Sequence, residues 1–313
     1  SGALGDLGLF LPLVLAVTLA CGLDLGAVLV LAGAMNVATG VLFRQPVPVQ
    51  PMKALAAAAV TEGLGAAELA AAGIAMGGVL LLLALSGAVA AAARRIPLPI
   101  VRGVQAGIGL RLAWTGADWV TGLPLWGWDS VAVAAAAAGV LLLSWRLRVP
   151  LLLPVFVAGF LLMAAAHPGV FAGMEPAPPR IALSIPPADA WGPGLLHGTL
   201  PQLPLTLLNS VLAVCALSAA YFPGRGIPLA RMAASVGLMN LVCVPLGGVP
   251  MCHGAGGLAA QHRFGARTGW SVVGLGLLKI AAGGLLGAAV GGVLDAYPRS
   301  ILGGMLRLAG ADH

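Results

Sequence analysis

Hydrophobic residues in this chain form repeated runs, each close to the length of a helix that crosses a bilayer. Such a helix needs roughly 20 predominantly apolar residues. The runs recur along the whole sequence, so a single cleaved leader peptide does not explain them. They cover residues 7–22, 25–43, 69–93, 131–145, 149–166, 203–220 and 270–294. The pattern predicts an all-α, polytopic membrane protein in contact with a lipid bilayer.

The composition supports the same conclusion. Hydrophobic residues make up 60% of the chain and charged residues only 8%, whereas a soluble domain carries about 25% charged residues. The net charge of +6 is spread between the apolar runs, as membrane topology requires, so no nucleic acid is expected as a partner. The four cysteines form no CxxC motif, and no metal or other cofactor is expected.

Two stretches of the sequence resemble each other and indicate a duplicated unit. Residues 33–54 and 237–257 both begin with Gly-x-Met-Asn, continue as an apolar helix and reach a proline-containing break. A second match, between 109–118 and 305–312, follows in the same order at a similar separation. Repeated units of this kind define the architecture of a fold. We therefore predict a first repeat over 1–166, a proline-rich extracytoplasmic linker over 167–198 and a second repeat over 199–313.

The charges of the loops predict how the two repeats are oriented. Basic residues in short loops mark the cytoplasmic side of a membrane protein. When the membrane crossings are counted from a cytoplasmic N-terminus, most loops that contain arginine fall inside and most loops that contain carboxylates fall outside. The same count gives seven segments in the first repeat. An odd number inverts the second repeat, as is common in secondary transporters. Because Asp118 is matched by Asp312, the second repeat is expected to lack its last two helices.

The two proline-containing breaks predict short extended strands inside the membrane. Pro46, Pro48 and Pro51 each remove a backbone donor and fix φ, so the segment cannot be helical until a half-helix begins near Pro51, a favoured first-turn residue. The second break, residues 247–261, predicts a strand followed by a half-helix from His253 or Gly254. Extended backbone at this depth must line a cavity or be buried in protein.

Two half-helices that begin near the bilayer centre predict an anion site. A helix N-terminus presents unpaired N–H groups and a partial positive charge, which together bind anions. Glycines let these amides approach a ligand closely. The candidate ligand-binding residues at the two breaks are Gln50, Pro51, Met52, Lys53, Cys252, His253, Gly254, Ala255 and Gly256.

Polar residues elsewhere in the apolar helices are further candidates, because they are costly in a membrane. Asp6 and Gln202 occupy the first helix of each repeat and are expected to flank the cavity. Asn36 and Asn240 match each other, and we expect them to make hydrogen bonds between helices. Asp6 and His253 together motivate a hypothesis of proton coupling, since histidine titrates near neutral pH.

These motifs resemble the molybdate transporters that are related to the sulfate permeases. The resemblance covers nearly the whole chain. Its two most specific motifs are PVPVQPMKA and GGVPMCHGAGGLAAQHRFGARTG, and the motifs that carry it occupy 5–19, 46–54, 200–218, 247–269 and 297–306.

The resemblance implies a fold and a function. The fold would consist of two inverted seven-segment repeats with a core domain, including 1–117 and much of 199–313, and a gate domain, including 119–166. Substrate would bind between the two half-helices, and the core would move against the gate like an elevator. The resemblance implies a secondary active transporter for molybdate in the cytoplasmic (inner) membrane, and it makes a homodimer a candidate assembly.

Alternative functions remain open at the level of sequence. Sulfate and molybdate are both tetrahedral dianions, and the sequence does not measure the size of the cavity. A channel would more often line its pore with rings of like residues, which the broken half-helices do not provide. An enzyme using Cys252 and His253 is not expected, because adjacent residues on a helix do not face each other.

Overall fold

The computed structural model describes residues 2–147, 152–172, 178–263, 265–286 and 296–311. The first half of the chain contains helices α1 (Gly2–Cys21), α2 (Leu25–Phe43), α3 (Lys53–Glu62), α4 (Ala66–Leu85), α5 (Val89–Arg94), α6 (Leu98–Thr121), α7 (Val131–Leu147), α8 (Leu152–Ala166) and α9 (Gly169–Ala172). The second half contains α10 (Ala188–Tyr221), α11 (Leu229–Cys243), α12 (Ala255–Arg263), α13 (Trp270–Leu286) and α14 (Arg299–Ala311). Strand β1 (Val49–Pro51) precedes α3, and strand β2 (Met251–His253) precedes α12.

Several of these helices have the length and composition of membrane spans. The helices Leu25–Phe43, Ala66–Leu85 and Ala188–Tyr221 are long and apolar enough to cross a bilayer. Shorter apolar helices accompany them, and large apolar side chains such as Leu85 and Trp114 are exposed on the outside. The prediction of a multi-pass helical membrane protein is therefore confirmed. Residues 287–294 of the last predicted run, together with Asp312, lie outside the described residues.

Helix α10 begins earlier than the sequence pattern predicts. The stretch 167–198 was expected to be a linker without helical periodicity, but it contains α9 (Gly169–Ala172) and is helical again from Ala188 onward. That expectation was therefore wrong for 169–172 and 188–198. Prolines in this helix remove backbone donors, and the helix continues through two π-helical segments, Gly194–Thr199 and Thr206–Ala213. Packing of the first segment against α4 stabilises a helix that its proline content alone would disfavour.

Pairs of helices from the two halves pack closely through glycines. Helix α2 packs against α13, and α11 packs against α4. A Cβ added to Gly33 would lie 2.6 Å from the carbonyl oxygen of Gly276, and one added to Gly237 would lie 2.9 Å from that of Gly77. These contacts are possible because glycine lets helix backbones approach each other. The two segments that match in sequence thus make matching contacts in the fold.

The second pair of matched segments also packs together. Helix α14 lies against α6, and a Cβ on Gly303 would lie 2.7 Å from the carbonyl oxygen of Gly116. The carboxylate of Asp129 accepts the backbone N–H groups of Arg299 and Ser300 at 3.1 and 2.8 Å. An acidic side chain at a helix N-terminus satisfies unpaired amides and the helix dipole. Asp129 therefore fixes the start of α14 on the segment before α7.

Candidate anion-binding site

The two predicted strands are present and pair with each other. Strands β1 and β2 are antiparallel, with Gln50 opposite Cys252, and the amide of Met52 extends the pairing by donating to the carbonyl oxygen of Pro250 at 2.9 Å. Each strand leads directly into a half-helix. The helices begin slightly later than expected, because Pro51 and His253 belong to the strands. The predicted extended segments inside the fold are confirmed.

A cavity of about 90 Å³ lies beside this strand pair. One water molecule needs about 10–15 Å³ on this measure, so the cavity has room for a small hydrated ion or an oxyanion. Residues from both half-helices, both strands, α6 and α10 surround it. The lining residues are Gln50, Pro51, Lys53, Gln105, Gln202, Leu205, Asn209, Ser210, Cys252, His253, Gly254, Ala255, Gly256 and Gly257.

Nine of the residues selected from the sequence line this cavity. The remaining two are Met52 and Asp6. Met52 is fully buried and is not among the lining residues. Asp6 belongs to α1, but its side chain lies outside the described part of the structure. Helix α1 itself contacts both half-helices, which places position 6 on an element that touches each side of the site.

The N-terminus of the second half-helix is open to a ligand. Gly254 precedes it and accepts the first helical hydrogen bond, from Leu258. In the described part of the chain, the amides of Ala255, Gly256 and Gly257 have no protein acceptor. A Cβ on Gly256 would meet nothing within 4 Å, so this backbone faces open space. Unpaired amides at a helix start form an anion site.

The N-terminus of the first half-helix is instead closed by a side chain. The carboxamide oxygen of Gln202 accepts the N–H groups of Ala54 and Leu55 at 2.8 and 3.3 Å. Its amide nitrogen donates to the hydroxyl oxygen of Thr206 at 2.9 Å. From the sequence, both helix starts were expected to contribute to the anion site, whereas in the structure Gln202 occupies the early amides of the first. The first half-helix contributes the side chain of Lys53 to the cavity. Its positive charge can attract an anion on the side where Gln202 occupies the backbone amides.

Two carboxamides that were not selected from the sequence also line the cavity. Gln105 on α6 and Asn209 on α10 face it, and among the described residues neither makes a hydrogen bond within the protein. The signal for Asn209 was available, because it follows Gln202 by seven residues and so lies on the same helix face. Gln105 had no such partner in the sequence.

The side chain of His253 is buried and makes hydrogen bonds that hold parts of the fold together. Its ring is fully buried. Nδ1 lies 3.2 Å from the carbonyl oxygen of Pro48, and Nε2 lies 3.0 Å from Oγ of Ser235. A carbonyl oxygen can only accept, so Nδ1 donates to it and Nε2 accepts from the serine. With both ring nitrogens engaged, His253 connects β2 to the segment before β1 and to α11.

The matched asparagines hold the two strands rather than joining helices. Oδ1 of Asn36 accepts the N–H of Val49, and Oδ1 of Asn240 accepts the N–H of Met251, both at 2.8 Å. The amide of Asn240 also donates to the carbonyl oxygen of Met251. The predicted hydrogen bonds between helices are therefore replaced by bonds from a helix to the strand that follows it.

The electrostatic character of the cavity favours an anion. Among the described lining residues there is one cation, Lys53, and no carboxylate. The open start of α12 adds a partial positive charge. The remaining polar groups are backbone amides, carboxamides, a hydroxyl, a thiol and the imidazole of His253, and none of them adds negative charge.

Solved structures of two membrane transporters are similar to this chain in fold. The transmembrane domain of the cyanobacterial bicarbonate transporter BicA matches with a TM-score of 0.71 at 16% identity, covering 99% of this chain and 87% of that one. The murine anion transporter Slc26a9 in its inward-facing state matches with a TM-score of 0.71 at 13% identity, covering 98% of this chain and 59% of that one. The chain thus has the helical membrane fold of these two proteins.

Its sequence places it in a particular family. A family model described as "Molybdate transporter of MFS superfamily" matches residues 1–112 and 194–312. Molybdate transporter 2 of Arabidopsis thaliana is 38% identical over all of this chain and 77% of its own length, and Molybdate transporter 1 of the same plant is 36% identical. Molybdate transporter 1 of Chlamydomonas reinhardtii is 31% identical. The chain belongs to the molybdate transporter family.

Proposed function

We propose that this chain is a secondary active transporter that binds molybdate in the cavity beside the two strands. The observation that carries the proposal is the open start of α12, where the amides of Ala255, Gly256 and Gly257 face the same cavity as Lys53. An oxyanion bound there would exchange its hydration shell for backbone amides and one ammonium group. Charge-assisted hydrogen bonds of this type are the stronger ones.

Gln105 and Asn209 complete the proposed binding site. Their carboxamides line the cavity from two different helices and can each donate two hydrogen bonds. Four oxygens of a tetrahedral ion point in four directions, so donors from several elements suit it better than one helix alone. Gln50 and Cys252 form the strand floor between the two half-helices.

We further propose that the two halves of the chain are inverted repeats and that transport follows an elevator-like movement of a core against a gate. Support comes from the matching contacts of the two halves, in which Gly33 meets Gly276 and Gly237 meets Gly77. Helices joined this closely would move together with the half-helices they surround. On this proposal the protein works in the cytoplasmic membrane, and the movement exposes the site to each side in turn.

Proton coupling is a separate part of the proposal and rests on Asp6. Helix α1 carries this residue and contacts both half-helices. A carboxylate in a membrane helix is costly and is commonly part of a proton relay. Uptake into liposomes with and without an inward proton gradient tests the idea, and equal rates under both conditions would remove it.

Binding and uptake of labelled molybdate test the main proposal. Purified wild-type protein should bind molybdate saturably, and Lys53→Met should weaken binding by about tenfold or more, because it removes the one cation among the described lining residues. Arg231→Met is the matched control, since this exposed arginine on α11 is not among the lining residues. Equal binding by both variants would contradict the assigned site.

Sulfate is the second candidate substrate, because it is a tetrahedral dianion of similar shape. Excess sulfate added to labelled molybdate distinguishes the two: molybdate binding that survives a large excess identifies molybdate as the preferred ion. Saturable uptake into liposomes is expected from a transporter, whereas flux that rises linearly with concentration would indicate a channel.

A further inference from the structure

Lys279 is a fully buried cation that the proposed binding site does not use. It lies on α13, and its residue is 2% exposed. The chain contains only two lysines, and the other one, Lys53, lines the cavity. A charged side chain inside the membrane part of a protein is costly and usually serves function. We therefore expect the contacts of the Lys279 side chain to indicate a functional role.

The surroundings of Lys279 connect it to the first strand of the site. Its Nζ lies 3.5 Å from the carbonyl oxygen of Val49, which is the residue before the cavity-lining Gln50. The same Nζ lies 3.3 Å from the centre of the Phe10 ring, within the range of a cation–π interaction. Lys279 thus stands behind β1, on the side of the strand that α1 and α13 cover.

The matching position in the other half of the chain is apolar. Gly33 contacts Gly276, and its counterpart Gly237 contacts Gly77, so 276 and 77 are equivalent positions. Three residues further on, they lead to Lys279 and Leu80. Leu80 is as deeply buried as the lysine. An apolar side chain can therefore occupy a position of this kind, and burial alone does not explain why residue 279 is charged.

The hydrogen bonds of the two strands differ in the same place. In the second half, Asn240 binds both the N–H and the carbonyl oxygen of Met251. In the first half, Asn36 binds the N–H of Val49, and Lys279 approaches the carbonyl oxygen. The lysine thus takes over a contact that the asparagine makes in the other copy. It does so beside the half-helix whose first amides are occupied by Gln202.

We propose that Lys279 is a positioning residue that holds β1 and supplies a buried positive charge behind it, which raises the affinity of the cavity for a doubly charged oxyanion. The proposal rests on the proposed function of the cavity. The second half-helix offers open amides to the ligand, whereas the first offers few. The positive charges of Lys279 and Lys53 make up for the amides of the first half-helix that Gln202 occupies. Lys279 acts from behind β1, and Lys53 acts from within the cavity.

A comparison of two ligands separates this role from a purely structural one. Perrhenate is a tetrahedral oxyanion like molybdate but carries a single charge. Because Coulomb energy is proportional to the charge of the ligand, removing a cation should cost a dianion twice the free energy that it costs a monoanion. A loss of about tenfold for perrhenate would then accompany a loss of about a hundredfold for molybdate.

The experiment measures binding of molybdate and perrhenate to the purified full chain. Lys279→Met keeps the length of the side chain and removes the charge, Lys279→Arg keeps the charge, and Leu80→Met is the matched control in the other half. We expect Lys279→Met to lower the ratio of molybdate to perrhenate affinity by about tenfold, and Lys279→Arg and Leu80→Met to leave that ratio within about twofold of wild type.

Thermal unfolding of the ligand-free variants accompanies these measurements. Removing one partner of a buried charged contact is destabilising, so we expect Lys279→Met to unfold at a lower temperature than wild type, and the affinities are compared below that temperature. If wild type binds molybdate and Lys279→Met binds both ions with an unchanged ratio, other groups neutralise the lysine and the inference is overturned. If wild type itself binds no molybdate, the proposed function fails instead.

Discussion

The carboxamide oxygen of Gln202 lies 2.8 Å from the backbone nitrogen of Ala54, although the two residues are 148 positions apart in the chain. This hydrogen bond makes the two half-helices unequal. The first has its early amides occupied by a side chain from α10, while the second leaves Ala255 and Gly256 open to the cavity. We therefore expect the second half-helix to bind the anion through its backbone and the first to contribute mainly through Lys53.

Replacement of Gln202 by glutamate should separate helix capping from anion binding. A carboxylate can still accept from Ala54 and Leu55 and suits the helix dipole, so the thermal stability should be kept. Its negative charge next to the cavity should weaken molybdate binding by about tenfold or more. Calorimetric titration and thermal unfolding measure the two effects.

Gln202→Ala is the complementary control for that prediction. It removes the acceptor and leaves two buried amides without a partner, which costs about 1–3 kcal/mol for each unsatisfied group. The unfolding temperature should therefore fall. A Gln202→Glu protein that binds molybdate as tightly as wild type would show that the ligand does not approach this side of the cavity.

Ala255→Pro should weaken anion binding without disrupting α12. Ala255 is the first residue of the helix, where proline is well tolerated, and proline removes the N–H that faces the cavity. A hydrogen bond to a charged group is worth about 1.5–3 kcal/mol, which corresponds to roughly a tenfold to hundredfold loss of affinity. Ala255→Gly keeps the amide and should bind within about threefold of wild type. Equal binding by the two variants would exclude this amide as a ligand contact.

Close packing of α2 against α13 predicts a sharp difference between two glycines on one helix. A Cβ on Gly276 would lie 2.5 Å from the carbonyl oxygen of Gly33, whereas a Cβ on Gly274 would meet nothing within 4 Å. Gly276→Ala should destabilise the protein by about 1–3 kcal/mol through overpacking. Gly274→Ala should be neutral or stabilise by about 0.5–1 kcal/mol, because alanine favours a helix. Thermal unfolding in detergent measures both, and a similar loss for the two variants would contradict the packing.

Replacement of His253 should affect stability and not the pH dependence of uptake. Both ring nitrogens have protein partners, so His253→Leu should cost about 1–3 kcal/mol by leaving Ser235 and Pro48 without them. Uptake by the protein that remains folded should keep the pH profile of wild type. A shifted profile would restore His253 as a candidate for proton coupling.

The pattern of glycines and prolines in the sequence predicts much of the site. Pro48 and Pro51 cannot donate backbone hydrogen bonds, and this local restriction is enough to predict the extended segment that becomes β1. The same reasoning places Gln50, Cys252 and Gly254 at one cavity, where the structure has them. A Cβ on Gly254 would collide with Oε1 of Gln50, so the carboxamide of Gln50 would have to move. That collision involves residues 204 positions apart and is invisible in the sequence.

The sequence by itself determined the membrane-spanning helices, the two breaks and the residues at each break, because these follow from hydrophobicity and backbone chemistry over a few neighbouring residues. Tertiary structure alone decided which helix start stays open, where the ring of His253 points its hydrogen bonds and that Lys279 stands behind Val49. Those outcomes depend on which side chains, distant in the sequence, the fold brings within hydrogen-bonding distance of a given backbone group. Local sequence patterns carry no information about that competition.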